Sequence, residues 1–342
     1  MSDAPPVMVH IGLPKTGTTY LQRLLAANRA TLRDQGFLYP GSKVDHFLAV
    51  QDVLKRPFKE PDERVPGAWR AVVAEIDQWP GPCLVSHEIL ASARPDGVAD
   101  VTRSFASRPV QVVATARDLA RQLPAVWQED VKNGSTEAFD EYLDRVRRVG
   151  ADPQRSRRRF WKLQDLPAIA ARWADVVGSA QVHVVTVPPP GSTDTLWRRF
   201  ARAVGIEPEW ASEQPVRGNE SLGAAEAEVV RRVNAWAEDA LTWPQYRRLV
   251  KKGLAERTLA VRRASPRLAL TPAIMPWVQE EAERTIDALS ALGVTVVGSL
   301  DDLRPRPAVR PAEWEVDEAE VAAAAIDALT SYLTPAREGS DQ

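Results

Sequence analysis

The sequence predicts an α/β fold in which a mostly parallel sheet is covered by helices on both faces. Three observations carry that reading. Short apolar runs rich in β-branched residues, Val7 to Ile11, Cys83 to Ser86, Val110 to Thr115 and Val182 to Val187, recur along the chain as buried strands do. Apolar residues at helical spacing fill the intervals between them, which is the alternation that builds parallel sheets. The first run also passes at once into a glycine-bearing loop and a helical pattern, a strand, loop and helix in immediate succession.

Taken in order, the first run leads into Pro14-Lys15-Thr16-Gly17-Thr18-Thr19, after which Tyr20, Leu21, Leu24 and Leu25 mark a helix face. Gly36 to Gly41 reads as a short extended segment closed by turn residues, His46 to Leu54 as a helix, and Pro57 to Pro66 as a polar, proline-rich break. A helix over Ala68 to Trp79 stops at Pro80-Gly81-Pro82, just before the second run. Behind the third run, Asp118 is placed to cap a helix whose face uses Leu119, Leu123, Val126, Trp127 and Val131, with Pro124 expected to kink or break it. Asp165 to Val177 and Thr195 to Val204 are helical and end at Gly178 and Gly205. Ala224 to Ala240 and Pro272 to Leu292 read as C-terminal packing helices, Arg304 to Pro311 as a Pro/Arg linker, and Val316 to Leu333 as a tail helix able to pack on its own chain or, in a homo-oligomer, on a partner subunit. Residues 1–300 are therefore expected to form one α/β domain, and 301–342 a linker and helical tail.

With 342 residues, 44% of them hydrophobic, the chain is long enough to bury a substantial core. A formal net charge of −2 gives no overall electrostatic case for nucleic acid or an anionic membrane. Met1 to Pro6 lack the basic and apolar stretches of a signal peptide, and no segment approaches the ~20 apolar residues of a membrane span, so a cytoplasmic protein is expected. A single cysteine, Cys83, excludes an internal disulfide framework, and the four histidines, His10, His46, His87 and His183, lack the paired spacing of a metal site. No metal is expected.

The loop Pro14 to Thr19 has the chemistry of an anion cradle. A helix N-terminus leaves backbone N–H groups unpaired, Gly17 lets an oxyanion approach the backbone, and Thr18 and Thr19 add hydroxyl donors. Gly12 and Gly17 have Walker A spacing, but Thr18 stands where the phosphate-binding Lys would be, and the cation sits earlier, at Lys15. In that arrangement the segment resembles the 5′-phosphosulfate loop, Pro-Lys-[Ser/Thr]-Gly-Thr-Thr, of the sulfotransferases that use 3′-phosphoadenosine 5′-phosphosulfate (PAPS). All six residues match. The resemblance implies a P-loop-like three-layer α/β fold, with firm motif identity confined to this loop and a looser likeness over residues 7 to 235. It also implies PAPS as co-substrate without a metal, with Lys15 on the oxygen that bridges phosphate and sulfate, and Pro14, Thr16, Gly17, Thr18 and Thr19 around the phosphate. The family grips the 3′-phosphate with an Arg leaving a strand and a Ser two helical turns later. Arg117 matches the Arg, but Ala125 stands at the Ser position, so Arg121 or Gln122 is left to compensate. Arg217-Gly218 is a weak likeness of the family's basic Arg-Lys-Gly loop.

For the general base, Ser86-His87-Glu88 ends the second run. Strand alternation allows only one of His87 and Glu88 to face a given pocket. His87 ranks first because Ser-His resembles the Thr-His pair of cytosolic sulfotransferases, Glu88 stands beside it, and His46 comes third. The run Arg155, Arg157, Arg158 and Arg159 is either a solvated face or a grip for an anion, and Trp127, Trp161 and Trp173 are read as core. The expected reaction is sulfuryl transfer to a hydroxyl or amine of a small-molecule, glycan or lipid acceptor, with selectivity in loops near residues 40 to 66 and 135 to 160. A nucleotide-dependent kinase or hydrolase, and a non-catalytic nucleotide-binding protein on the same fold, are the rival readings.

Overall fold

The computed structural model describes residues 4–56, 62–213, 221–262, 266–306 and 316–333. Five strands, β1 (Val7–Gly12), β2 (Cys83–Ser86), β3 (Val110–Ala116), β4 (Val182–Thr186) and β5 (Thr295–Val297), form one all-parallel sheet in the order β2-β1-β3-β4-β5. Side chains alternate across it, as strand geometry requires. Val7, Val9 and Ile11 of β1, with Cys83, Val85, Val112, Ala114, Val182 and Val184, pack one face against helices Lys43–Val53, Ala68–Asp77, Pro95–Arg103 and Leu166–Val177. Met8, Leu84, Val113 and Val185 pack the other against α1 (Thr18–Ala27) and helix Leu196–Val204. The result is a three-layer α/β fold, as the periodicity predicts.

The chain divides into two compact units. The first comprises Met1–Leu119, Val149–Val216 and Gln279–Pro305, and holds the sheet; the second comprises Ala120–Arg148, Arg217–Val278 and Arg306–Gln342. The second unit is helical among its described residues and is organised around buried polar side chains. The amide of Asn234 donates to the carbonyls of Val131 and Ser135, both at 2.8 Å, and accepts the Tyr246 hydroxyl at 2.8 Å. The tail helix Glu318–Leu333 buries Val321, Ala324 and Ala328 within this unit. Arg232 pairs with Glu318, and Arg262 joins Asp327 to the buried Glu226, so ion pairs fix that helix to its own chain.

Several elements differ from the sequence reading, each for a local reason. The helix expected from His46 begins at Lys43, because Ser42 and Asp45 form a reciprocal capping box. Pro124 does not break its helix, which runs Leu119–Lys132: buried Leu123, Trp127 and Val131 hold both sides of the one lost backbone hydrogen bond. Residues 139 to 150, read as loop, form helix Phe139–Gly150, and helix Pro95–Arg103 starts from a proline in its first turn. β5 went unread because three partly exposed residues carry too little periodicity.

Candidate functional site

The carboxyl end of β1 turns into α1 through three residues in the left-handed backbone region: Gly12 (φ 84°), Lys15 (φ 67°) and Gly17 (φ 94°). Glycine adopts this conformation without cost, whereas a lysine there is strained by about 1–2 kcal/mol and persists only where its surroundings fix it. The fixing contacts are present. The Leu13 N–H donates to the Thr115 carbonyl at 2.8 Å, Gln164 Nε2 to the Pro14 carbonyl at 3.3 Å, and an Arg117 guanidinium nitrogen to the Lys15 carbonyl at 3.4 Å. Gly17 occupies the N-cap of α1 and supplies no side-chain cap, which leaves the first-turn N–H groups for an external acceptor.

The loop sits where an open α/β sheet is built to bind. The crossover from β1 leads outward to β2 on one side, while β3, β4 and β5 follow on the other, so the strand order reverses between β1 and β3. Ligands of such sheets lie outside the carboxyl ends of the strands at that reversal. Lys15 follows β1 there and Arg117 follows β3, two cations converging on one loop. The Thr16 hydroxyl is buried and donates to the Leu13 carbonyl at 2.6 Å, so this side chain holds the loop from within. Thr18 is buried at the start of α1, and Thr19 is half-buried beside it.

At the end of β2, His87 and Glu88 take different roles. His87 is still extended and caps the short 3-10 turn Glu88–Ser92, its Nδ1 accepting the Ile89 N–H at 3.2 Å. That bond occupies the lone pair of Nδ1 and places the proton of the neutral ring on Nε2. Glu88 lies against the start of the anion loop, so close that a Cβ added at Gly12 would stand 2.7 Å from its Cβ. Gln22 Nε2, from α1, donates to Glu88 Oε2 at 3.2 Å. His46 is fully buried and engaged at both nitrogens: Nδ1 accepts the Ser86 N–H at 3.1 Å, and Nε2 donates to the Pro40 carbonyl at 2.7 Å. Burial pushes its pKa down to about 4, so it remains a neutral tie between β2 and the segment before it, with no ring nitrogen left for a substrate proton.

Arg121 and Gln122, with Ala125, belong to the second unit, and Arg217 lies outside the described residues. Of the basic run, Arg155 is not a solvated cation: it pairs with Asp165 at 3.1 Å and with buried Glu281 at 2.5 Å, and stacks 4.3 Å over the Trp161 ring. Trp127, Trp161 and Trp173 are buried, as read. The sequence reading passed over Gln22, and named Ser86 and Thr115 without giving either a hydrogen-bonding part. Their signal was a polar residue at an inward position of an apolar element, as with Gln22 beside Leu21 on the buried side of α1. Comparison of the chain with family models, curated proteins and solved structures finds no match.

Proposed function

We propose that the protein transfers a sulfuryl group from PAPS to a hydroxyl or amine of a small-molecule, glycan or lipid acceptor. One observation carries the reading: the full six-residue loop Pro14 to Thr19 lies at the reversal of strand order, with Lys15 held in a left-handed conformation and Arg117 reaching its carbonyl. In this reading the N–H groups of Thr16 to Thr19 receive the 5′-phosphosulfate, and Arg117 takes the 3′-phosphate. The acceptor oxygen gives its proton to a base as its lone pair forms the new bond to sulfur. The bond from sulfur to the bridging oxygen breaks, and its electron pair remains on the phosphate of the departing 3′-phosphoadenosine 5′-phosphate, where Lys15 neutralises the growing charge.

Glu88 is the base of this scheme in preference to His87. Its Cβ lies against Gly12 at the start of the loop and its Oε2 accepts from Gln22 of α1, whereas the His87 Nδ1 lone pair is committed to the Ile89 N–H. Calorimetry with 3′-phosphoadenosine 5′-phosphate, AMP, ATP and GTP, with and without Mg²⁺, tests the assignment. Metal-independent binding that favours the bisphosphate is the expected result. Equal affinity for AMP and the bisphosphate removes the two-phosphate argument, and Mg²⁺-dependent preference for ATP or GTP replaces it with a kinase or hydrolase.

A further inference from the structure

Beneath the loop, six side chains form a hydrogen-bond chain whose direction is fixed from one end. Thr16 Oγ1 has a single proton and gives it to the Leu13 carbonyl at 2.6 Å. Thr115 Oγ1 lies 2.5 Å from Thr16 Oγ1, a separation that needs a shared hydrogen, so Thr115 must donate there. Thr115 then faces His10 Nε2, at 3.3 Å, with a lone pair, which places the ring proton on Nε2. His10 Nδ1 is therefore an acceptor and takes the proton of Ser86 Oγ at 2.7 Å. Full burial, with His87 nearby as a lesser cause, pushes the His10 pKa down to about 3, so the ring is neutral as this pattern demands.

Ser86 consequently turns lone pairs toward Gln22. Its Oγ and its carbonyl, 3.4 and 3.3 Å from Gln22 Nε2, both require a donor, so only the NH₂ end of the amide fits there. The same Nε2 reaches Glu88 Oε2 at 3.2 Å. His10, Thr16, Gln22, Ser86 and Thr115 are each 1% exposed or less, and Glu88 is the member that opens to solvent. A reversed amide would set oxygen against three acceptors in a buried site, which the chain forbids.

We infer that Gln22 is a positioning residue for Glu88: the chain anchored inside the anion loop locks its amide, whose N–H holds Oε2 and leaves Oε1 to take the acceptor's proton. The inference rests on the sulfuryl-transfer reading, and goes beyond it by tying the orientation of the base to the folded state of the loop. Displacing a reacting group by about 1 Å costs on the order of 100-fold in rate, so losing this hold matters although Gln22 touches no substrate.

The test uses PAPS itself, with water as acceptor, and follows release of 3′-phosphoadenosine 5′-phosphate by the full-length protein. Gln22→Leu is made in the wild-type and in the Glu88→Gln backgrounds. In the first, kcat should fall roughly 10- to 100-fold with KM near the wild-type value; in the second, Gln22→Leu should change kcat little further, since there is no base left to orient. Ser86→Ala, which removes one of the acceptors that set the amide, should lower kcat in the same background-dependent way, and it provides the reading if Gln22→Leu does not fold. An equal loss in both backgrounds, or an unchanged kcat, overturns the positioning role. A wild-type protein that releases no product overturns the sulfuryl-transfer reading, and the positioning role with it.

Discussion

Lys15 combines a left-handed backbone with a place at the tip of the loop, and its two parts act differently on a bound ligand. In the proposed reaction the strained backbone aims the neighbouring N–H groups in ground state and transition state alike, whereas the ammonium would meet most of its charge only as the bridging oxygen departs. Lys15→Ala should therefore lower kcat for PAPS turnover by about 100-fold while weakening calorimetric binding of 3′-phosphoadenosine 5′-phosphate far less. Loss of affinity and turnover by the same factor would make Lys15 a uniform binding residue. Arg155 shows the opposite case, a cation read from the sequence as part of a solvated face or an anion grip, whose partners are internal. Arg155→Met leaves the buried Glu281 carboxylate with Arg284 alone, 2.8 Å from its Oε2, and takes the partner from Asp165, so urea denaturation should register a loss of about 2 kcal/mol, with nucleotide affinity of the folded protein unchanged. A nucleotide affinity that falls instead would return the basic run to the binding site.

At the scale of the element, the turn from β1 into α1 depends on two glycines that fail differently when substituted. Both sit at positive φ, so either alanine is strained by about 1 kcal/mol or more. A Cβ at Gly17 would meet Leu196 Cδ2, the far end of a side chain that can turn away. At Gly12 it would meet the Cβ and Cα of Glu88, and so part of the main chain that has no alternative position. Gly12→Ala should then destabilise the protein more than Gly17→Ala in thermal melts, and should depress PAPS turnover beyond its effect on binding, because it pushes Glu88 off the loop. Equal melting temperatures for the two variants would mean that the turn after β2, where Glu88 sits, yields as easily as a leucine side chain.

For the whole molecule, the two fully buried histidines make stability depend on pH within a defined window. His10 and His46 have pKa values lowered by burial to about 3 and about 4, against about 6.5 in an unfolded chain. Between those limits the unfolded chain binds the extra protons, so stability rises with pH and is lost as pH falls below 6.5. At pH 5 each histidine contributes a loss of about 2 kcal/mol relative to neutral pH. The urea midpoint should accordingly drop between pH 6.5 and 5, above the range in which most carboxylates titrate. A midpoint that is flat across this interval would show that the rings become protonated without unfolding.

The sequence by itself determined the strand, loop and helix that carry Lys15, the parallel character of the sheet, and the separation of strands by helices. Each of these follows from short-range causes: side-chain periodicity, glycine at positive φ, and a helix start without a side-chain cap. Tertiary structure alone decided what the polar residues inside those elements do. His10, Ser86 and Thr115 lie on three different strands, and parallel pairing of β2, β1 and β3 is what brings them beneath one loop. The same pairing set Glu88 against Gly12 and put the His46 ring between Pro40 and Ser86, while helix packing closed Arg155 onto Glu281 from a distant part of the chain. A hydrogen bond is decided by angles and by which partner holds the proton, and neither is encoded in the spacing of residues along a chain.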